Sequence, residues 1–281
     1  MHLPDPASDR APVRTALLLA AGLGSRLAPL TDALPKCLVP VSGVPILDRL
    51  VRALDGHGFE RLVIVTGYKA ETIRDHLGES FGGVAIEYLV SPLFETTNNI
   101  YSLWLARQLI DEPFLLVESD VVFDEQLLAP LLQPDRIAVS RQLPWMGGTT
   151  VTLDGAGNVN AFYPPPPGVY GQHCTDAGHF MAVNICSLSR DMWRDVAERL
   201  DAHVVAGQTG SFYETVFEEM AAAGSMAPEA VIFPAERWYE IDTLADLDAA
   251  ELVFPRRLHV AGGSRRRTVS AGAAGPAGAA V

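Results

Sequence analysis

Three cysteines in 281 residues, Cys37, Cys174 and Cys186, are too few and too irregularly spaced for a disulfide framework or a thiolate metal cage. They read as free thiols in a reducing compartment. Positive charge is scarce as well: 21 Lys and Arg stand against 34 Asp and Glu, a net charge of −13 at pH 7. That balance argues against nucleic acid or an anionic membrane as partner, and any anionic ligand must be held by local cations. Long apolar runs are missing too. None approaches the roughly 20 residues of a bilayer span, and the opening MHLPDPASDRAPVR has no apolar leader core. Together these absences predict a cytoplasmic chain. The seven histidines form no convincing Ser-His-Asp or Cys-His arrangement for nucleophilic catalysis.

What the chain does contain is 48% hydrophobic and 20% charged residues, ordinary for a globular protein with a sizeable core. Short leucine or β-branched runs alternate with helix-like stretches. TALLLA, RLVIVTG, VAIEYLV and FLLVESD read as strands, and ILDRLVRALDGHG, KAETIRDHLG and IYSLWLARQLI as the helices between them. This is the pattern of an α/β fold with a Rossmann-like, mixed, mainly parallel sheet flanked by helices. From Ile137 the rhythm loosens into IAVS, TTVTLD, NVNAF and HFMAVNI, interrupted by the proline run YPPPPGVY, which reads as a rigid solvent loop. Helices return at 190–200 and 212–223, followed by RWYEIDT and a last helix, LADLDAAELVF. The expected organisation is a flexible lead-in over 1–14, one domain over 15–254 and a disordered tail over 255–281. Within the domain, a nucleotide half would run to about 135 and an acceptor half from about 136.

LLLAAGLGSRLAPLTDALPK places a glycine turn directly after the first strand, with Arg26 and Lys36 close behind. Glycines at such a turn let backbone N–H groups approach a phosphate. The triphosphatase loop GxxxxGK[ST] is absent, and the dinucleotide fingerprint fails because Leu27 stands where its third glycine belongs. What remains, AAGxGxRLxPLT followed by a Pro-Lys pair, resembles the signature of the nucleotidyltransferases that make nucleoside-diphosphate sugars and related CDP- or CMP-linked compounds.

The resemblance covers about Ala16 to Phe254 and implies a GT-A-like nucleotidyltransferase fold. It places Ala20, Ala21, Gly22, Gly24 and Ser25 against the nucleotide, Arg26 on the β- and γ-phosphates, and Lys36 on the α-phosphate. Asp120, at the end of FLLVES, would be the first Mg²⁺ ligand and Asp242, in RWYEIDT, the second, with Glu118 and Glu240 as neighbours. Each acid could instead cap a turn or helix. The stretch NNIYSLWLA, with PKCLVPVSGVPILDR and VIVTGYKAE, is similar to phosphocholine and phosphonate cytidylyltransferases. It adds Ser102 and the pair Asn98 and Asn99, which could either cap the helix or contact the pyrimidine or ribose.

The implied reaction is attack by a phosphate or phosphonate oxygen on the α-phosphorus of CTP, expelling pyrophosphate. Alternatives are a hexose-1-phosphate nucleotidyltransferase using UTP or dTTP, and a non-catalytic nucleotide-binding regulatory protein. A homodimer is left open by the sequence. The acceptor would lie among Trp145, Met181, Asn184, Glu214, Trp238 and Tyr239, with Tyr163 a further aromatic for cation–π contact. Two departures from the pattern occur here. Gly147 stands where relatives tend to carry an acid, and Met181 where a lysine is common. The missing acid points toward a neutral acceptor head and away from choline or an amine.

Overall fold

The computed structural model describes residues 12–143, 146–165 and 178–255. Strand β1 (Thr15–Ala20) is buried along its whole length, as a strand covered on both faces must be. After the glycine turn come α1 (Leu30–Ala33), a two-residue hairpin of β2 (Pro40–Val41) and β3 (Val44–Pro45), and α2 (Ile46–Gly56). The chain continues through β4 (Arg61–Thr66), α3 (Ala70–Leu77), β5 (Ser80–Phe81), β6 (Val84–Val90), α4 (Asn99–Ala106) and β7 (Phe114–Glu118). The second half holds β8 (Val121–Phe123), β9 (Arg136–Arg141), β10 (Thr150–Leu153), β11 (Val159–Tyr163) and β12 (His179–Leu188). Helices α5 (Arg190–Val205) and α6 (Glu214–Ala222) follow, then β13 (Glu229–Phe233), β14 (Trp238–Glu240) and α7 (Leu244–Val253).

Among the described residues ten strands form one mixed sheet whose central members, β6, β4, β1 and β7, run parallel. Strand β12 lies antiparallel to β7 and carries the second half of the domain with it. Alternation along β1 sends Ala16, Leu18 and Ala20 to one face, where α2 contributes Leu47, Leu50 and Leu54. Leu17 and Leu19 face the opposite layer of α4, α5 and α6, with Ile100, Trp193 and Phe217. The layered architecture matches the expectation, with three differences. Val13 is already buried and its N–H bonds to Leu132 O, so ordered packing begins within the expected lead-in. Strands β2, β3, β5, β8 and β13 have no counterpart in the sequence reading. The second helix stops at Gly56, where the chain turns back through a Phe59 N–H bond to Leu54 O.

Two details position the site. Strand β12 leaves β10 after Met181 and meets β7 from Ile185, and its register breaks between Ala182 and Cys186, where Asn184 sits at φ 60°. Strand β14 pairs with β8 in a separate ribbon, and the Ile241 N–H bonds to Asp120 O at 2.9 Å. Cys37 and Cys186 are buried and free. Among the described residues no helix is long and apolar enough to cross a membrane. Cys174, Trp145, residues 166–170 of the proline run and the expected tail from Arg256 onward lie outside the described residues.

Gly67, just past β4, is where the sheet presses on the glycine turn. A Cβ there would come within 2.6 Å of Phe94 Cβ and 2.8 Å of Ala21 O. Neither the backbone oxygen nor the first carbon of Phe94 can rotate away. Gly67→Ala should lower stability by about 1–3 kcal/mol in urea denaturation. A change under about 0.5 kcal/mol would contradict this packing.

Candidate active site

The chain leaves β1 toward β4 on one side, while β7, on the other side, leads to β12. Between the C-terminal ends of β1 and β7 lies the point where strand order reverses, the usual place for a ligand in such sheets. A cleft of about 740 Å³ opens there. Ala21, Gly22, Gly24, Ser25 and Arg26 line one side of it. Ala20 does not: with the parity of Leu18, its side chain packs in the core layer under the turn. Gly24 adopts φ 64° and lies so near Lys36 that a Cβ on it would meet Lys36 Cβ at 3.2 Å and Thr31 Cγ2 at 3.1 Å. The Thr31 hydroxyl donates to Gly24 O at 2.9 Å, which fixes this turn. Gly22 has open space where a side chain would project.

Lys36 is the centre of the charged cluster. Its Nζ donates to Asp120 Oδ2 at 2.7 Å and to Asp242 Oδ1 at 2.6 Å, and the Arg26 guanidinium donates to the same Asp242 oxygen at 2.8 Å. Burial works against the Lys36 charge, but the two carboxylates outweigh it and hold the ammonium above the ordinary lysine range. Asp120, Glu240 and Asp242 each bring a carboxylate oxygen within 4.8 Å of the others. Asp120 Oδ1 is buried with no hydrogen-bond partner among the described residues. Three converging hard oxygens, one with an unused lone pair, fit a divalent cation such as Mg²⁺. Asp242 does not cap the last helix. That role belongs to Thr243, which with Asp246 forms a capping box.

Deeper in the cleft a second acidic pair is strung on Asn99. Its Nδ2 donates to Glu118 Oε1 at 3.0 Å and its Oδ1 accepts the Tyr213 N–H at 2.9 Å. Glu214, the first residue of α6, is buried near the Asn99 amide and the Thr149 hydroxyl, which favour its charged form, while its Oε2 has no hydrogen-bond partner among the described residues. Burial, then the Glu214, Asp120 and Glu240 charges, pushes Glu118 well above the usual carboxylate range. Burial chiefly raises Glu214, to about 7, with Asp120 adding to it. Glu240 is raised by burial and by Asp120 and Asp242, and accepts from Asn184 Nδ2 at 3.3 Å.

Of the two asparagines, Asn98 is the cap, its Oδ1 accepting the Asn99 N–H, and Asn99 is a strut between carboxylates. Both line the cleft, as do Ser102, Met181, Asn184, Glu214, Trp238 and Tyr239. Tyr163 is not among the lining residues; it is exposed and lies against His179. The two departures in the sequence meet in space near Gly148, where a Cβ would come within 2.7 Å of Met181 Cε. Thr149 and Tyr213, whose surroundings include Glu214 and Glu118, were not singled out from the sequence. Glu118 and Glu240 are legible in it, because each stands two residues before a predicted metal ligand around a strand end.

Residues 15–135 match the family described as nucleotidyl transferase. The chain is 34% identical over 255 residues to CMP-5'-(3-aminopropyl)phosphonate synthase of Streptomyces rubellomurinus, covering 88% of this chain and 39% of that protein. It thus spans about two fifths of that relative's length. Similarity to 2-aminoethylphosphonate cytidylyltransferase of Lancefieldella rimae is 29% over 242 residues, 83% of this chain and 90% of the relative. The fold superimposes on CTP:phosphocholine cytidylyltransferase of Streptococcus pneumoniae with a TM-score of 0.73 at 20% identity, covering 86% of this chain and all of that one.

Glu214 keeps its proton in the folded chain between its ordinary value of 4.5 and about 7, a range in which the unfolded chain has lost it. The folded state therefore binds the extra proton there, and stability falls as pH rises through that range. Glu214→Gln removes this dependence. It should stabilise the protein at pH 8 by up to about 3 kcal/mol more than at pH 4, measured by urea denaturation. An equal effect at both pH values would contradict the protonation of Glu214.

Proposed function

We propose that the chain is a nucleotidyltransferase, and within that family a cytidylyltransferase that couples CTP to a small phosphonate or phosphate and releases pyrophosphate. The observation that carries this reading is the Lys36 bridge between Asp120 and Asp242, set beside the glycine turn at the reversal point of the sheet. The relatives that act with CTP supply the base.

In this reading the triphosphate lies along Gly22, Gly24 and Ser25, with Arg26 on the β- and γ-phosphates and Lys36 on the α-phosphate. Asp120 and Asp242, joined by Glu240, would hold Mg²⁺, which supplies charge neutralisation to the phosphates. An oxygen of the acceptor attacks the α-phosphorus, a new P–O bond forms, and the bond to the β-phosphate oxygen breaks with its electron pair leaving on pyrophosphate. A phosphomonoester with a second pKa near ~6 is already largely dianionic at neutral pH, so no general base is needed. The protein's work is positioning and electrostatic stabilisation.

The acceptor's far end is best read as a primary ammonium. Asp120 and Asp242 are matched by Lys36 and Arg26, whereas Glu214 is buried and Glu118 partly buried, both beside neutral partners, an arrangement that calls for a proton or a cation. This revises the neutral head expected from Gly147: the acid missing there is offset by two acids from β7 and α6. The names of the relatives, an aminopropyl- and an aminoethylphosphonate enzyme, support the same choice.

Pyrophosphate release measured with Mg²⁺ across CTP, UTP, dTTP, ATP and GTP should require CTP. With CTP, 3-aminopropyl- or 2-aminoethylphosphonate should exceed 2-hydroxyethylphosphonate by about tenfold or more in kcat/KM. Preference for the hydroxyl compound would contradict the ammonium assignment, and turnover of glucose 1-phosphate with UTP would contradict the base. Asp120→Asn and Lys36→Ala should each lower kcat by about 10²–10³. A wild-type rate in either would remove that residue from its role.

A further inference from the structure

We infer that the Lys36 ammonium occupies the divalent-cation position of the nucleotide-free protein, so that a metal enters only as Lys36 is drawn onto the phosphates of the nucleotide. The inference goes beyond the proposed reaction and rests on it only for the identity of the metal ligands.

Lys36 Nζ lies within 2.7 Å of oxygens on two of the three clustered carboxylates. Its side chain is 13% exposed, and those of Asp120 and Asp242 are 11% and 22% exposed, so water screens the contacts weakly. Asp242 Oδ1 also receives Arg26, and a carboxylate oxygen with two lone pairs directed at two donors has none left for a metal. Asp120 offers Oδ1, buried without a partner among the described residues, and Glu240 stands beside it, but the oxygen of Asp242 that faces the cluster is taken by the two cations. A divalent ion brought into the cluster would also face the Lys36 charge at close range.

What can move is the Lys36 side chain, not its backbone. The short helical turn Lys36–Leu38 is anchored by buried Cys37 and Leu38, and the Lys36 stem is packed against Gly24. The path for the ammonium therefore runs between the carboxylates and the glycine turn, where the same article of charge would meet the nucleotide. A triphosphate arriving with its own divalent ion supplies both halves of the exchange: the phosphates take the ammonium, and the carboxylates take the metal. A metal ion alone supplies only one half. Metal and nucleotide consequently bind as a unit, and the free protein holds metal weakly despite three converging acids.

The test is Mn²⁺ binding to the full chain without nucleotide, read by electron paramagnetic resonance of the free ion. Wild type should bind weakly, Lys36→Met about tenfold more tightly or better, and Lys36→Arg, which keeps the charge, as weakly as wild type. Should Lys36→Met fail to fold, Lys36→Gln replaces it with the same expectation. Wild type binding as tightly as Lys36→Met would overturn the exchange while leaving the metal site standing. Tight binding by Lys36→Arg would overturn it as well, since space and not charge would then be the barrier. No binding by wild type, Lys36→Met or Lys36→Gln would overturn both the exchange and the metal assignment.

Discussion

A largely enclosed lysine held between two aspartates is the contact on which the rest of the site depends. Lys36, Asp120 and Asp242 are separated by 84 and 206 positions in the sequence and come from three different parts of the fold. Lys36 is delivered by the short helical turn after α1, Asp120 by the end of β7, and Asp242 by the ribbon of β14 on β8. The backbone bond from Ile241 to Asp120 sets the last of these within reach. Removing the ammonium would leave a buried cluster of carboxylates without its central counter-charge, and removing either acid would leave the cation underpaired. Buried charge of this kind is weak evidence for stability and better evidence for a working site.

The sheet divides the labour around this contact. Its parallel strands end in the glycine turn and in Glu118-Ser119-Asp120, so one half of the cleft is built from strand ends and backbone. The other half comes from the antiparallel strands and α6, which bring side chains: Thr149, Met181, Asn184 and Glu214. The register break at Asn184 lets β12 serve both halves, pairing with β10 before it and β7 after it. Asn184 and Asn99 play parallel parts, each donating an amide N–H to a partly buried glutamate, Glu240 and Glu118 respectively. These neutral donors ease the desolvation of the acids without cancelling their charge, and the cleft remains attractive to a cation.

Much of this was legible in the sequence where burial leaves a continuous signal. Strands β1, β4 and β7 read clearly because both of their faces are covered and nearly every residue is apolar. Strand β13 did not, being only five residues, partly exposed, and paired in parallel with a strand from far earlier in the chain. The two-residue strands are too short to carry a period. Among site residues, Arg26, Lys36, Asp120 and Asp242 stand out through motif and strand-end position. Thr149 and Tyr213 do not, because their contacts with Glu214 and Glu118 arise only when α4, α6 and β10 pack. The same limit bears on the acceptor: the expectation of a neutral head weighs the one position Gly147, while the cleft gathers acids from separate segments, among them the ends of β7 and β14 and the start of α6. Ala20 differs for a simpler reason: the parity of β1 turns its side chain into the core, away from the cleft.

The measurement that reaches the centre of this account is a crystal structure with Mg²⁺ and a non-hydrolysable CTP analogue. The account predicts the triphosphate along the glycine turn, the metal on Asp120 and Asp242, and the Lys36 ammonium on the α-phosphate. Nucleotide bound away from Gly22 and Gly24, or Lys36 still bridging the two aspartates beside a bound triphosphate, would contradict it.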